Sequence, residues 1–319
     1  MNRQASMGQQ LSMGDPRPRE LRHELALADG SNWEIVAGNA AAASIVSRLG
    51  DVMQFRAAAS ASETFQRGNV RQLHVRVDVP KSVADCYVPL ASRDDGAFVC
   101  VLCPCAHWGG SYINLVKLSL VFARAAQGRG GFLIHGALAE RDGMGVILTA
   151  PGGTGKTTAS NRLPAPWRSL CDDTTLVLPD AQGNYWAHPW PTWSRFIDDG
   201  PGGTWDVQSA VPLKGIFFLS QALEDRVERV GPGQAVSLLM EGVKQASMSM
   251  EEGMPDAEHR ALNLERFDNL CALARAIPMH VLALSLTGAF WQEIELALAW
   301  GHGARGTNDQ KHQPGLIYG

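Results

Sequence analysis

The chain has 319 residues, 45% of them hydrophobic and 19% charged, which supports a sizeable core in one or two domains and excludes a disordered chain. The formal net charge is −4, so neither nucleic acid nor an anionic membrane is expected as the main partner. No apolar run reaches membrane-spanning length and the first 20 residues are polar, so we expect a cytoplasmic protein without a signal peptide.

The first part of the chain predicts a leader followed by an α+β region. Residues 1–20 are rich in Gln, Ser and Met and predict a flexible leader. Over residues 21–130 the pattern predicts two strands around an Asp-Gly turn, and then a helix with Asn39 as its N-cap. RQLHVRVDV, whose polarity alternates, and GAFVCVLCPC predict further strands, and a helical segment ends at Gly128.

From residue 131 the sequence pattern changes. Residues 131–300 predict a β-rich nucleotide-binding domain, and residues 301–319 predict a polar, flexible tail. Two apolar segments around an Asp-Gly turn predict a hairpin, and a glycine-rich loop and a short helix follow it. Further on we predict a second hairpin, an apolar strand, two helices, a last strand and a last helix. The expected fold class is α/β (α+β), with a mixed β-sheet around the loop and the N-terminal α+β region packed on it.

The segment APGGTGKT fits the Walker A pattern of phosphate-binding loops, with Ala150 in place of the first glycine. Small residues allow backbone N–H groups to wrap a phosphate, the lysine reaches the β- and γ-phosphates, and the threonine hydroxyl holds Mg²⁺. Pro164 cuts the following helix short, but only its first turns would serve the phosphate. The alternative is a glycine-rich turn with an accidental Lys-Thr pair. The predicted nucleotide-binding residues are Pro151, Gly152, Gly153, Thr154, Gly155, Lys156, Thr157 and Thr158.

Three further residues predict a catalytic group. Phosphoryl transfer to a hydroxyl needs one carboxylate near the acceptor and another on the metal. Asp172 and Asp173 are adjacent acids at the mouth of an apolar strand, and they would point to opposite faces if extended. His135 lies one strand before the loop, where the hairpin could bring it beside the acids to orient or tune one of them. The alternatives are a solvated Asp-Asp turn and a structural histidine.

These features together resemble a known family. HGALAERDGMGVILTAPGGTGKTT followed by SLCDD is similar to the catalytic core of HPr kinase/phosphorylase, which is related to phosphoenolpyruvate carboxykinase. The resemblance implies ATP and Mg²⁺ as cofactors, with Lys156 and Thr157 on phosphate and metal. It implies Asp172 as the acid/base, and it places Asp173 near the metal or His135. It leaves a homo-oligomer open, because HPr kinases assemble into rings.

Through VPLKGIFFLSQALEDRVERVGPGQAVSLLMEG, LCALARAIPMHVLALSLTGAFWQEIELAL and HPWPTWSRF the resemblance extends over about residues 130–300. There the chain is similar to smaller HPr-kinase-like proteins found beside peptide-modifying genes, in particular the SynChlorMet cassette proteins ScmC. That likeness implies a precursor peptide or a small peptide-carrier protein as partner. The chain departs from the HPr kinases at two points. It has no Glu-x-Arg-Gly signature after the Asp-Asp pair, and Thr158 stands where HPr kinases usually carry Glu.

A segment rich in Pro and Trp, AHPWPTWSRF, follows the acid pair. Proline stiffens a loop and tryptophan offers a large contact area, so this segment could hold a peptide acceptor. The alternatives are a packed connection between strands and, for the arginine, a surface ion pair. The candidate substrate contacts are Trp190, Thr192, Trp193 and Arg195.

Cys100, Cys103, Cys105 and His107 form a C-x-x-C-x-C-x-H pattern, and such residues occur in zinc and iron–sulfur sites. However, four ligands within eight residues of one predicted strand cannot easily surround a metal without a turn. Buried or redox-inert thiols are therefore the preferred interpretation.

Two classes of function follow from these patterns. The first is Mg-ATP-dependent phosphorylation of a hydroxyl, with Asp172 accepting the proton and with Asp173 and His135 supporting it. The second is an ATP-binding scaffold that presents a precursor peptide to a neighbouring enzyme and transfers nothing. The missing Glu-x-Arg-Gly signature favours the scaffold. The His-Asp-Asp set favours the kinase, because a scaffold needs no proton acceptor.

Overall fold

The computed structural model describes residues 21–57, 70–79, 91–92, 97–104, 112–251 and 254–300. Within these residues the protein has a mixed α/β fold with two mixed β-sheets, six α-helices and one 3-10 helix. None of the described helices is both long and apolar enough to cross a membrane. The predicted leader and the predicted tail lie outside the described residues.

The first sheet has six strands in the order β3-β1-β2-β4-β6-β5. The strands β2, β4 and β6 are parallel to one another, and the remaining pairs are antiparallel. Its elements are β1 (Arg22–Ala26), β2 (Asn32–Ala37), α1 (Ala40–Met53), β3 (Arg56–Ala57), β4 (Val70–Val77), β5 (Ala91–Ser92), β6 (Phe98–Leu102) and, after them, α2 (Tyr112–Gln127).

Local sequence signals explain the start of this sheet. The β1–β2 hairpin turns at Asp29 and Gly30, as predicted. Asn39 is the N-cap of α1, and its side-chain oxygen accepts a hydrogen bond from the backbone N–H of Ala42, which confirms the predicted cap.

The second sheet has eight strands, in the order β11-β10-β7-β8-β12-β14-β13 with β9 paired to β7. The strands β8, β12 and β14 are parallel, so their C-terminal ends meet at one edge of the sheet. The elements are β7 (Phe132–Arg141), β8 (Met144–Thr149), α3 (Lys156–Arg162), β9 (Arg168–Cys171), β10 (Thr174–Pro179), β11 (Tyr185–Trp190), the 3-10 helix (Trp193–Asp199), β12 (Val211–Gln221), β13 (Arg226–Arg229), α4 (Pro232–Glu251), α5 (Asp256–Ala276), β14 (Met279–Leu284) and α6 (Phe290–Ala297).

The β7–β8 hairpin that precedes the glycine loop is confirmed. Its turn consists of Asp142 and Gly143, which have φ angles of 53° and 78°. Positive φ at both central residues is the conformation of the tight turns that match the twist of antiparallel strands. This hairpin places the end of β8, and therefore the glycine loop, beside the middle of β7.

The acid pair interrupts a strand instead of continuing it. Cys171 of β9 pairs with Leu138, and Thr174 of β10 pairs with His135, so both segments follow β7 in the same direction. Asp172 and Asp173 form a bend between them. The two acids were expected to point to opposite faces of an extended strand. Because they lie in a bend, the alternation of a strand does not set the directions of their side chains.

One hydrophobic core joins the two sheets. The cluster contains Trp33 of the first sheet, Phe122 of α2 and Phe132 of β7, and all three side chains are buried. The rings of Trp33 and Phe122 meet edge to face with centroids 5.3 Å apart. Backbone bonds add to the packing, since the N–H of Trp205 donates to the carbonyl of Val52 at 2.8 Å. The N-terminal region is thus packed on the second sheet.

A buried histidine also links the two sheets. The Nδ1 of His188 lies 2.6 Å from the carbonyl oxygen of Val207, and its Nε2 accepts a hydrogen bond from the backbone N–H of Ala28 at 3.2 Å. This arrangement needs a neutral ring with the proton on Nδ1. Burial lowers the pKa of His188, and the carbonyl of Val207 and the charge of Asp29 only partly oppose that effect.

We expect the His188 link to weaken in acid. Because its folded-state pKa lies below the ordinary value of about 6.5, the unfolded chain binds more protons between these two pKa values. Stability from this group is therefore present above about pH 6.5 and is lost as the pH falls below it. When the pH is lowered from about 7.5 to about 5.5, the free energy of unfolding measured with urea should fall less in His188→Gln than in the wild type. Equal losses would contradict this role.

Candidate functional site

The glycine loop follows β8 at the edge where the parallel strands end. Gly153 and Gly155 have φ angles of 78° and 108°, a region that L side chains rarely adopt. A Cβ atom added at either residue, or at Gly152, would meet no other atom within 4 Å. The loop therefore leaves open space over its backbone, as a phosphate-binding loop must.

Lys156 is held inside this loop. Its Nζ donates to the carbonyl oxygen of Ala150 at 2.8 Å and to that of Pro151 at 3.4 Å, and the residue is only 6% exposed. Burial lowers the pKa of Lys156, while the negative charge of Asp173 acts in the opposite direction. The predicted phosphate-binding cation and one predicted carboxylate are therefore electrostatic neighbours.

His135 and Asp173 form a pair beside the loop. The Nε2 of His135 lies 3.0 Å from Oδ1 of Asp173. This hydrogen bond is the main reason why the pKa of His135 is raised, although burial opposes it. Burial alone would raise the pKa of Asp173, but the hydrogen bond and the charge of His135 outweigh it, so that pKa is lowered. Each partner of this pair therefore favours the charged form of the other.

Gln245 of α4 completes the surroundings of His135. Its Nε2 donates to Oε1 of Glu241 at 2.8 Å, which turns its Oε1 towards Nδ1 of His135 at 2.6 Å. Both ring nitrogens of His135 thus face oxygen acceptors, an arrangement that favours the doubly protonated ring. Sequence reasoning missed Gln245, which is 110 residues away along the chain.

A glycine brings α4 close enough for this contact. A Cβ atom at Gly242 would lie 3.0 Å from Oγ1 of Thr149 and 3.2 Å from Cγ1 of Ile134. Gly242 therefore lets the helix approach β7 and β8 closely, and Gln245 follows it by one helical turn. The side chain of Gln245 is thereby directed to the strand that carries His135.

Asp172 has partners of its own. Its Oδ1 accepts a hydrogen bond from the hydroxyl of Thr192, and its Oδ2 accepts one from Nη2 of Arg195, both at 2.7 Å. The Asp172 carboxylate is 13% exposed, whereas the Arg195 side chain is 44% exposed. Each carboxylate oxygen keeps a further acceptor position, because a carboxylate offers about four. The ion pair considered for Arg195 thus exists, and its partner is a predicted site residue.

A cavity of about 500 Å³ lies next to these groups. Its polar lining comes from Gly152 of the loop, His135, Asp173 and Thr174, together with Ser194 and Gln245. The rest of its wall is apolar and comes from α2, β7, β11, the 3-10 helix and α4. These wall residues are Tyr112, Val116, Leu120, Leu133, Trp190, Trp193, Ile197 and Ala246.

The structure brings most of the predicted site residues into one region. Lys156, His135 and Asp173 are neighbours, Thr157 and Thr158 are exposed in the first turn of α3, and Trp190 and Trp193 line the cavity. Thr192 and Arg195 hold Asp172 instead of lining the cavity. Sequence reasoning did not identify the contribution of α2, because its apolar periodicity is the same as that of any core helix.

The predicted cysteine pattern is only partly described. Cys100 and Cys103 are buried at and just after β6, and Cys105 and His107 lie outside the described residues. The part of the chain that the structure describes contains no cluster of three or more His, Cys, Asp or Glu side chains suited to a metal.

We expect Cys100 to resist alkylation in the folded protein. Burial raises the pKa of its thiol to about 12, so very little reactive thiolate forms near neutral pH. Treatment with iodoacetamide and peptide mass spectrometry should show Cys100 reacting at least about 100-fold more slowly than the partly exposed Cys271. In urea the two rates should converge. Equal rates in the native protein would contradict the burial of Cys100.

Comparison with known proteins places the chain in a family. Residues 98–299 match the family described as SynChlorMet cassette protein ScmC. No curated protein matches the chain significantly. The matched residues amount to more than half of the chain, and they include the glycine loop, the His135–Asp173 pair and all the cavity-lining residues. On this basis the chain belongs to the SynChlorMet cassette protein ScmC family.

Proposed function

We propose that this protein is a Mg-ATP-dependent phosphotransferase of the HPr-kinase type, which phosphorylates a hydroxyl on a ribosomally made precursor peptide. The observation that carries the proposal is the grouping of Lys156, His135 and Asp173 beside a glycine loop with open space over its backbone. Membership of a cassette-protein family supports the peptide acceptor.

The loop residues would bind the phosphates of ATP. Backbone N–H groups from Gly152 to Thr158 would surround them, and Lys156 would exchange its contacts with Ala150 and Pro151 for contacts with phosphate oxygens. Its lowered pKa reflects burial, a setting in which a charge contact is stronger than in water.

Oxygen donors at the site fit Mg²⁺. Thr157 offers an exposed hydroxyl beside Lys156, and Asp173 is an ionised carboxylate with a lowered pKa. Mg²⁺ is commonly held by one or two protein oxygens together with substrate phosphates, so a dedicated cluster of acids is not required. When bound, the ion neutralises charge on the phosphates.

Asp172 would accept the proton of the acceptor hydroxyl. Thr192 and Arg195 fix the carboxylate in position through two hydrogen bonds. His135, held by Gln245 and Asp173, would supply positive charge beside the transferred phosphoryl group. Each of the two acids therefore has a distinct set of partners and a distinct role.

The competing candidate is an ATP-binding scaffold that presents the peptide to another enzyme. The missing Glu-x-Arg-Gly signature favours it. The purified protein should be mixed with Mg-ATP and the small peptides encoded beside its gene, and the intact masses of those peptides should be recorded. A phosphate-sized gain supports the kinase. Tight ATP binding without any gain supports the scaffold and overturns the kinase.

A further inference from the structure

The lining of the cavity next to the site has two chemically different parts. His135, Asp173 and Gly152 belong to its polar part. The other part consists of aliphatic and aromatic side chains of several elements, such as Val116 of α2 and Trp193 of the 3-10 helix. A volume of about 500 Å³ exceeds what a serine side chain needs and falls within the range of small-ligand pockets.

The charges around the cavity limit what can enter it. Among its lining residues, all within the described part of the chain, there is no lysine or arginine, and the only ionisable carboxylate is that of Asp173. A carboxylate or an ammonium group placed against the apolar wall would lose its hydration without gaining a partner. An apolar side chain would instead gain from leaving water.

The position of the cavity assigns it to the acceptor. In the proposed reaction His135 and Asp173 act on the phosphoryl group that is transferred, and both line the cavity. The acceptor hydroxyl must come close to the same groups. The side chains next to that hydroxyl residue in the acceptor would therefore face the apolar wall.

We infer that this cavity binds a bulky apolar side chain, aromatic or large aliphatic, immediately next to the hydroxyl residue that is phosphorylated. This inference rests on the proposed function and names the acceptor class. Helix α2 supplies part of the wall through Tyr112, Val116 and Leu120, so the N-terminal region takes part in choosing the acceptor.

Two synthetic peptides with blocked ends test the inference, Gly-Gly-Phe-Ser-Phe-Gly-Gly and Gly-Gly-Asp-Ser-Asp-Gly-Gly. With Mg-ATP, the Phe-flanked peptide should be phosphorylated with at least about tenfold higher kcat/KM, as expected for burying one large apolar side chain. Ala246→Phe fills the cavity and should remove this preference without changing the Kd for ATP. The matched control is Ala261→Phe, an exposed position on α5, which should leave both quantities unchanged.

A second variant keeps the inference testable if Ala246→Phe does not fold. Val116→Asp puts a carboxylate on the apolar wall, and it should shift the preference from the Phe-flanked peptide to a Lys-flanked one. Circular dichroism reports whether each variant is folded.

The possible results separate this inference from the proposed function. Equal phosphorylation of the Phe- and Asp-flanked peptides, or no change in Ala246→Phe, overturns the inference and leaves the kinase intact. Phosphorylation of the peptides encoded beside the gene but of neither synthetic peptide also overturns it. If Ala246→Phe weakens ATP binding instead, the cavity belongs to the nucleotide and the inference is wrong. If no peptide is ever phosphorylated, the proposed function fails and the inference fails with it.

Discussion

Replacement of Lys156 by alanine is expected to lower phosphoryl transfer at least about 100-fold, the loss seen when one charge-stabilising donor is removed from an active site. Lys156 is buried, and its ammonium is directed along the loop by the carbonyl oxygens of Ala150 and Pro151. Because Asp173 influences its pKa, the ammonium lies within the same electrostatic environment as the proposed reaction. Intact-mass measurement of the phosphorylated peptide over time gives the rate.

The variant is expected to stay folded. Removing the ammonium relieves its desolvation cost but leaves the carbonyl oxygens of Ala150 and Pro151 without this donor, so the unfolding free energy should fall by no more than about 3 kcal/mol. Lys244→Ala on the exposed side of α4 is the matched control, and it should transfer phosphate at the wild-type rate. A Lys156→Ala protein that still transfers phosphate within about threefold of the wild type would show that the glycine loop is not the phosphate site.

The centre of the site could be predicted from sequence because its signals are local. The glycine loop is a contiguous motif after an apolar strand, and it contains two glycines with positive φ, Gly153 and Gly155. His135 and the acid pair are separated from the loop by one hairpin and one short helix, so the chain has few ways to arrange them. The observed 3.0 Å contact between His135 and Asp173 agrees with the expectation that the histidine lies beside one of the acids.

The outer parts of the site could not be predicted in this way. Gln245 reaches His135 only because α4 packs closely on β7 at Gly242, and a glycine in a helix does not reveal its packing partner. The strand β13 was also missed, since Arg226, Glu228 and Arg229 give it a polar pattern typical of a loop. It adds to the edge of the sheet by pairing with β14.

The family match also bears on the boundary that was expected near residue 130. It begins at residue 98 and therefore includes α2, which lies in the predicted N-terminal region. The apolar wall of the cavity includes side chains from α2 as well as from the second sheet. The change in sequence pattern near residue 130 thus lies inside the matched residues. The elements on its two sides line the same cavity.

Replacement of Asp172 by asparagine is expected to lower phosphoryl transfer by a factor of about 10² to 10⁴, the usual contribution of a general base, while the Kd for ATP stays unchanged. Asparagine keeps the shape and can still accept the hydrogen bond from Thr192, but it cannot take up the acceptor proton. Transfer is measured from intact peptide masses, and ATP binding by calorimetry. Asp198→Asn is the matched control, because this exposed residue has a φ of 51°, a conformation that asparagine tolerates well.

A comparison with Arg195→Ala shows whether Asp172 acts as a base or only holds Arg195 in place. The arginine is half-exposed and pairs with Asp172 at 2.7 Å, so both Asp172→Asn and Arg195→Ala disrupt the same ion pair. If the carboxylate serves only to hold Arg195, the two variants should lose activity equally. If Asp172 accepts the proton, Arg195→Ala should keep at least about tenfold more activity than Asp172→Asn, because the carboxylate remains. Full transfer in Asp172→Asn would rule out its role as the base, and it would leave Asp173 as the acid that lines the cavity.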